Sequence, residues 1–111
     1  MVGCGARQMV PVTRNALTVD VEEYFQVAAF ERTIPRASWE GTDSRVELST
    51  GRVLDVFAGH GAKATFFVLG WIAERYPALV RRIVAEGHEL ASHGYDHTRI
   101  HNFSRAQFRE D

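Results

Sequence analysis

Cysteine is almost missing: Cys4 is the single one in 111 residues, so an internal disulfide is impossible and a disulfide-stapled miniprotein is excluded. It sits in a short tail before the first patterned segment and carries no expected role. An excess of either charge is also lacking. Thirteen basic against fourteen acidic residues leave a formal charge of -1. The basic residues are scattered rather than clustered, so nucleic acid and anionic membrane are not expected partners. No segment approaches the ~18 consecutive apolar residues of a membrane helix. Residues 1–14 lack the apolar stretch of about 7–15 residues that a secretory signal carries, and a cytoplasmic address is the expectation. Met9 is an alternative start, since nothing before it resembles structure. Internal repeats and low-complexity tracts are absent too.

What is there is ordinary globular composition, 45% hydrophobic and 24% charged, enough for about one small domain. Residues 1–14 read as a tail and 15–111 as the folded part. Ala16 to Val21 is a short β-branched run and predicts a buried strand. Glu22 to Ile34 mixes aromatics and charges without a period and reads as loop with at most a helical turn; Pro35 to Ser44 is polar and reads as loop. From about Arg45 to Ala58, Val46, Val53, Leu54 and Phe57 fall on one helical face, with Gly59-His60-Gly61 as the stop. Ala64 to Leu69 is a continuous apolar run, expected as a strand covered on both faces.

After Gly70, Trp71 to Tyr76 predicts a short helix. Pro77 to Glu86 predicts the clearest one, with Leu79, Val80, Ile83 and Val84 on one face and Gly87 at the C-cap. Glu89 to Ser92 reads as a third strand. Ser104-Arg105-Ala106-Gln107 has the capping-box pattern that starts a further helix. The alternation predicts an α/β fold with a parallel sheet and crossover helices. Three parallel strands with few covering helices make a poor free-standing domain, so the chain is expected to be a piece of a larger one.

Two local patterns can carry chemistry. Ser92-His93-Gly94-Tyr95-Asp96-His97 sets two histidines four apart just past a strand, where α/β active sites lie. Imidazole is the commonest side-chain ligand for zinc and suits iron, nickel and copper. Taken alone, the pair also fits two surface histidines in a loop. Asp20-Val21-Glu22-Glu23 ends the first strand; in extended backbone Asp20 and Glu22 share a side and Glu23 faces the other. Alone, this fits a solvated acidic loop. Together the two patterns fall on one edge of a parallel sheet, and two imidazoles with one carboxylate form a frequent catalytic ligand set. A second carboxylate beside it supplies a base. His60 and His88 read as helix-end or turn residues, and His101 as a neighbour without a motif.

Three stretches, Leu17 to Phe25, Lys63 to Gly70 and Gly87 to His97, resemble in content, order and separation the polysaccharide deacetylase family (carbohydrate esterase family 4, the nodulation-deacetylase-like domain). The likeness runs over roughly Asn15 to Asp111. It is most similar to the branch associated with exosortase and exopolysaccharide systems, which opens with the same Asp-Val-Glu-acid-Tyr-Phe pattern. The resemblance implies a distorted (β/α) barrel, present here in part and incomplete at its C-terminus, and removal of acetyl groups from a sugar polymer with a divalent metal, usually zinc. It implies His93 and His97 as metal ligands and Asp20 as general base. Most members carry a second, metal-binding aspartate next, where Val21 stands here; Glu22 is the expected replacement, with Glu23 the other choice.

The family's later motifs, an orienting arginine, a pocket-lining Asp/Trp pair and a Leu-x-His proton donor, are absent, so the 111 residues alone are expected to be inactive. A cyclic amide hydrolase of the same superfamily and a non-catalytic carbohydrate-binding remnant stand as alternatives. The polymer, the linkage, the substrate-binding residues and the oligomeric state are not legible.

Overall fold

The computed structural model describes residues 12–111, so Cys4, Met9 and most of the tail lie outside the described residues. Three four-residue strands form a parallel sheet in the order β1-β2-β3: β1 is Thr18–Val21, β2 is Thr65–Val68 and β3 is Glu89–Ser92. Between β1 and β2 lies α1 (Val46–His60). Between β2 and β3 lie α2 (Gly70–Arg75) and α3 (Pro77–Ala85), and α4 (Arg105–Glu110) follows β3. Among the described residues no helix is long and apolar enough to cross a membrane.

Because the strands are added in sequence without reversal, crossovers of the usual right hand put their helices on one face of the sheet. Accordingly α1 packs on α3. Arg82 of α3 joins them on the outside, donating to Asp55 of α1 at 2.7 Å. The register sets Val19, Phe66 and Leu90 in one row across the sheet, and Val21, Val68 and Ser92 in another. From this face Val21, Phe66 and Val68 enter the core, where they join Leu54, Ile72, Leu79 and Ile83. Burial of each such side chain contributes about 1.5–3 kcal/mol.

The alternate positions, Thr18, Asp20, Thr65, Phe67, Glu89 and Ala91, are exposed or half-buried. The expectation that the Ala64–Leu69 strand is covered on both faces therefore needs correcting. Among the described residues one layer of helices shields one face, and period-two alternation leaves the other open. For the same reason β1 is buried only at Val21.

Helix ends follow local chemistry. α1 runs two residues beyond the expected stop at Ala58, because only Gly61 takes the left-handed conformation, φ 63°, that ends it. Pro77 opens α3 and Gly87, φ 84°, follows it. Val84 is exposed, so the inward face of α3 is Leu79 and Ile83 with Val80 beside them. The expected capping box at Ser104 is present: Ser104 N–H donates to Gln107 Oε1 at 2.8 Å, and Gln107 N–H donates to Ser104 Oγ at 3.3 Å.

The segment between β1 and α1, expected as loop, makes three short 3₁₀ turns, Tyr24–Gln26, Ala28–Phe30 and Arg36–Gly41. It is anchored by aromatics rather than by a period. Phe25, Trp39 and Trp71 form one cluster, with ring centroids 5.6–6.1 Å apart. The Arg36 guanidinium lies 4.6 Å from the Trp39 ring and that of Arg75 lies 4.4 Å from Trp71. Such stacking adds about 0.5–1 kcal/mol at exposed sites. His88 stands in the turn after α3, as expected, but not at the surface. It is buried against Phe66, and its Nδ1 accepts from the Ala64 N–H at 3.2 Å, a role that requires Nδ1 to be unprotonated.

Candidate metal centre

The C-terminal ends of β1 and β3 lie on the same edge of the sheet, separated only by β2. Beyond these ends β1 continues into Glu22 and Glu23, and β3 into the turn that bears His93 and His97. At Glu23 the backbone is still extended, φ -81° and ψ 148°, so consecutive side chains point to opposite sides. Asp20 and Glu22 thus share one side: Asp20 Oδ2 and Glu22 Oε2 each lie 4.0 Å from His93 Nε2. Glu22 Oε2 also hydrogen-bonds His97 Nε2. The two imidazole rings stand perpendicular, with centroids 4.7 Å apart.

One ligand atom from each of Glu22, His93 and His97 lies within 4.8 Å of the other two. A tetrahedral zinc with bonds of about 2.0–2.2 Å holds its donors about 3.3–3.6 Å apart. The triad has the donor types such an ion takes, its atoms must move from their present spacing to close on one, and two imidazoles with a carboxylate leave one tetrahedral position open. The Asp20 side chain is 56% exposed against 22% for Glu22, so Asp20 is the carboxylate more open to an incoming molecule. His101 and His60 are exposed and take no part in this cluster, and His88 is committed to the core.

Glu23 points the other way and is 1% exposed. Its carboxylate accepts from the backbone N–H groups of Arg45 at 3.0 Å and Val46 at 3.2 Å, and from the Ser44 hydroxyl. These donors belong to the start of α1, where the Arg45 side chain at the N-cap makes no cap hydrogen bond of its own. A remote carboxylate therefore satisfies helix-end donors that would otherwise be unpaired, where negative charge is also favoured.

The histidine turn is fixed by different means. Gly94 and His97 both have positive φ, 76° and 70°; for histidine that conformation is uncommon and costs about 1–2 kcal/mol. The turn is tied to α2 by backbone bonds from Gly70 N–H to Gly94 O, 2.9 Å, and from Trp71 N–H to Tyr95 O, 3.0 Å. A Cβ on Gly70 would lie 2.7 Å from Tyr95 Cδ2, so only glycine allows this approach.

Asp96 accepts from the Thr98 hydroxyl at 2.6 Å and from Arg36 Nε at 3.3 Å. Burial pushes its carboxyl up, but the bonds from Thr98 and Arg36 together outweigh burial and hold it below the usual carboxylate range. The Tyr95 hydroxyl donates to Glu74 at 2.8 Å, and this bond raises its pKa. Beside His97 opens a cleft of about 340 Å³ lined by Phe25, Arg36, Trp39, Asp96 and Arg99, among others.

Of the aromatics near the motifs, Phe25 is core, Tyr95 is half-buried and Tyr24 lies under the Arg45 guanidinium at 5.1 Å. The anchoring roles of Glu23, Arg36, Gly70 and Asp96 were not foreseen from the sequence. Only the helix start at Arg45, without a cap of its own, hinted at Glu23.

This chain is similar to known proteins in sequence and in fold. It is 40% identical over 60 residues to a peptidoglycan-N-acetylglucosamine deacetylase of Bacillus cereus, covering 54% of this chain and 22% of that one. It is 54% identical over 48 residues to a chitooligosaccharide deacetylase of Rhizobium leguminosarum bv. trifolii, covering 43% and 22%. The crystal structure of a peptidoglycan N-acetylglucosamine deacetylase superimposes with a TM-score of 0.61 at 30% identity, over 86% of this chain and 34% of that one. A Mycobacterium smegmatis structure at 24% identity, TM-score 0.67, shares the fold. The chain thus spans about a fifth of the length of these two curated relatives. The polysaccharide deacetylase family model matches residues 40–111, well over half of the chain, and the chain belongs to that family.

Proposed function

We propose that this chain carries the metal-and-base half of a polysaccharide deacetylase site and takes part in removing N-acetyl groups from an acetylated hexosamine polymer. The observation that carries this reading is the convergence of Glu22, His93 and His97 within 4.8 Å beside Asp20, in a chain of this family. Its relatives' names, acting on chitooligosaccharide and on peptidoglycan N-acetylglucosamine, support the substrate class. The opening Asp20 to Phe25 supports the exopolysaccharide-associated branch, and the sequential parallel order supports a segment of a (β/α) barrel wall.

In this reading Glu22 Oε2, His93 Nε2 and His97 Nε2 hold a divalent ion, with zinc best suited to the borderline nitrogen-rich set. When bound, the ion polarises the acetyl carbonyl and brings the pKa of a water down to about 7. Asp20 is the general base: it lies beside His93 yet outside the triad, and its exposure lets it reach a proton on an incoming water. Glu22 cannot share that task while bound to the ion. The cleft beside His97 is of a size to take one sugar ring, with Arg36, Asp96 and Arg99 among its polar lining.

Calorimetric titration of zinc into this chain and into its His93→Ala/His97→Ala variant tests the reading, with circular dichroism confirming that both are folded. One zinc bound by the first and none by the variant is the expected result. A folded chain that binds no zinc would remove the proposal.

A further inference from the structure

Glu22 and Glu23 are adjacent and chemically identical, yet one joins the histidines and the other is withdrawn into the start of α1. Extended backbone forces the two side chains apart, so fixing either one fixes the other. Glu23 is the fixed one. It is buried, three donors from residues 44–46 converge on its carboxylate, and its own N–H donates to the buried Gln26 Oε1 at 2.7 Å. Glu22 has one hydrogen bond, to His97, and no anchor of its own among the described residues.

We infer that Glu23 is a positioning residue for the metal centre: by binding the N-terminus of α1 it sets the direction of Glu22 toward His93 and His97. The inference rests on the metal-site reading above. A carboxylate is required because it presents several lone pairs to converging donors, whereas an amide turns an NH₂ toward them. If Glu23 is released, the β1 end can rotate about its backbone. Glu22 then leaves the triad and two histidines remain. In metal sites generally, loss of such outer support lowers affinity about 10–100-fold.

The test is zinc affinity, by titration against a competing chelator, of the unaltered chain and its Glu23→Gln, Glu23→Ala, Ser44→Ala and Ile83→Val variants. Each is measured at a temperature where circular dichroism shows it folded. Expected is a rise in Kd of about tenfold or more for Glu23→Gln and Glu23→Ala, and a smaller rise for Ser44→Ala, which removes one of the donors. Ile83→Val trims the core away from the site and is expected to lower Tm without moving Kd. If Glu23→Ala does not fold, Glu23→Gln and Ser44→Ala decide. Glu23→Gln binding zinc as tightly as the unaltered chain overturns the positioning role while leaving the metal centre standing. A folded unaltered chain that binds no zinc overturns both.

Discussion

The two arms that meet at the candidate metal centre are held by different physics. The β1 arm is rooted in the core: Glu23 and Phe25 are each 1% exposed, one bound to the start of α1 and the other packed on Trp39 and Trp71. The histidine arm has no buried residue from His93 to Thr98. Two backbone hydrogen bonds to α2, the Arg36–Asp96 pair and left-handed backbone at Gly94 and His97 shape it instead. Damage at the root of the first arm should therefore appear as lost stability. Damage in the second should appear as lost geometry on an intact fold.

The largest test of that contrast is Phe25→Ala, which empties the aromatic cluster under the β1 arm. A loss of about 3–5 kcal/mol in urea unfolding is expected; a loss below about 1 kcal/mol would show that the arm is not rooted in the core. Next comes Gly70→Ala, where the new Cβ meets Tyr95. Overpacking costs about 1–3 kcal/mol, and zinc affinity should fall with it because Tyr95 sits between the two histidines. A rise in stability, the usual result of Gly→Ala in a helix, would mean that Tyr95 moves aside freely.

A smaller effect separates the arms most sharply. His97→Gly should abolish zinc binding and leave the urea midpoint nearly unchanged. Relief of the left-handed backbone, about 1–2 kcal/mol, offsets the lost hydrogen bond to Glu22 and the added freedom of the unfolded chain. A large drop in midpoint would place His97 among the stabilising residues. Smallest is Arg36→Ala. Its partly exposed pair with Asp96 should give about 0.2–1 kcal/mol in a double-mutant cycle with Asp96→Ala, diminishing as salt is raised.

The strands and α3 were legible because their signals are local. Continuous apolar runs bounded by Gly and charge mark β2, and Pro77 and Gly87 bracket α3. The shared side of Asp20 and Glu22 was legible too, since a strand's period of two needs no tertiary knowledge. The Arg36–Gly41 turn and the burial of Trp39 were not, because a segment of single 3₁₀ turns has no period and is held by residues far away in sequence. The burial of His88 was not legible for a similar reason: it depends on the Ala64 N–H, 24 residues earlier. The open second face of the sheet follows from having helices on one side only among the described residues, which the apolar run of β2 did not disclose.

By itself the sequence determined the alternation of strands and helices, the family resemblance and the pairing of two histidines with an acidic strand end. Each is written in local order, spacing or motif. Tertiary structure alone decided how the adjacent Glu22 and Glu23 divide their tasks. Local rules put them on opposite sides, but which side holds the histidines and which the start of α1 depends on groups some twenty to seventy-five residues away. A carboxylate goes where converging donors repay its desolvation, and packing alone brings those donors together.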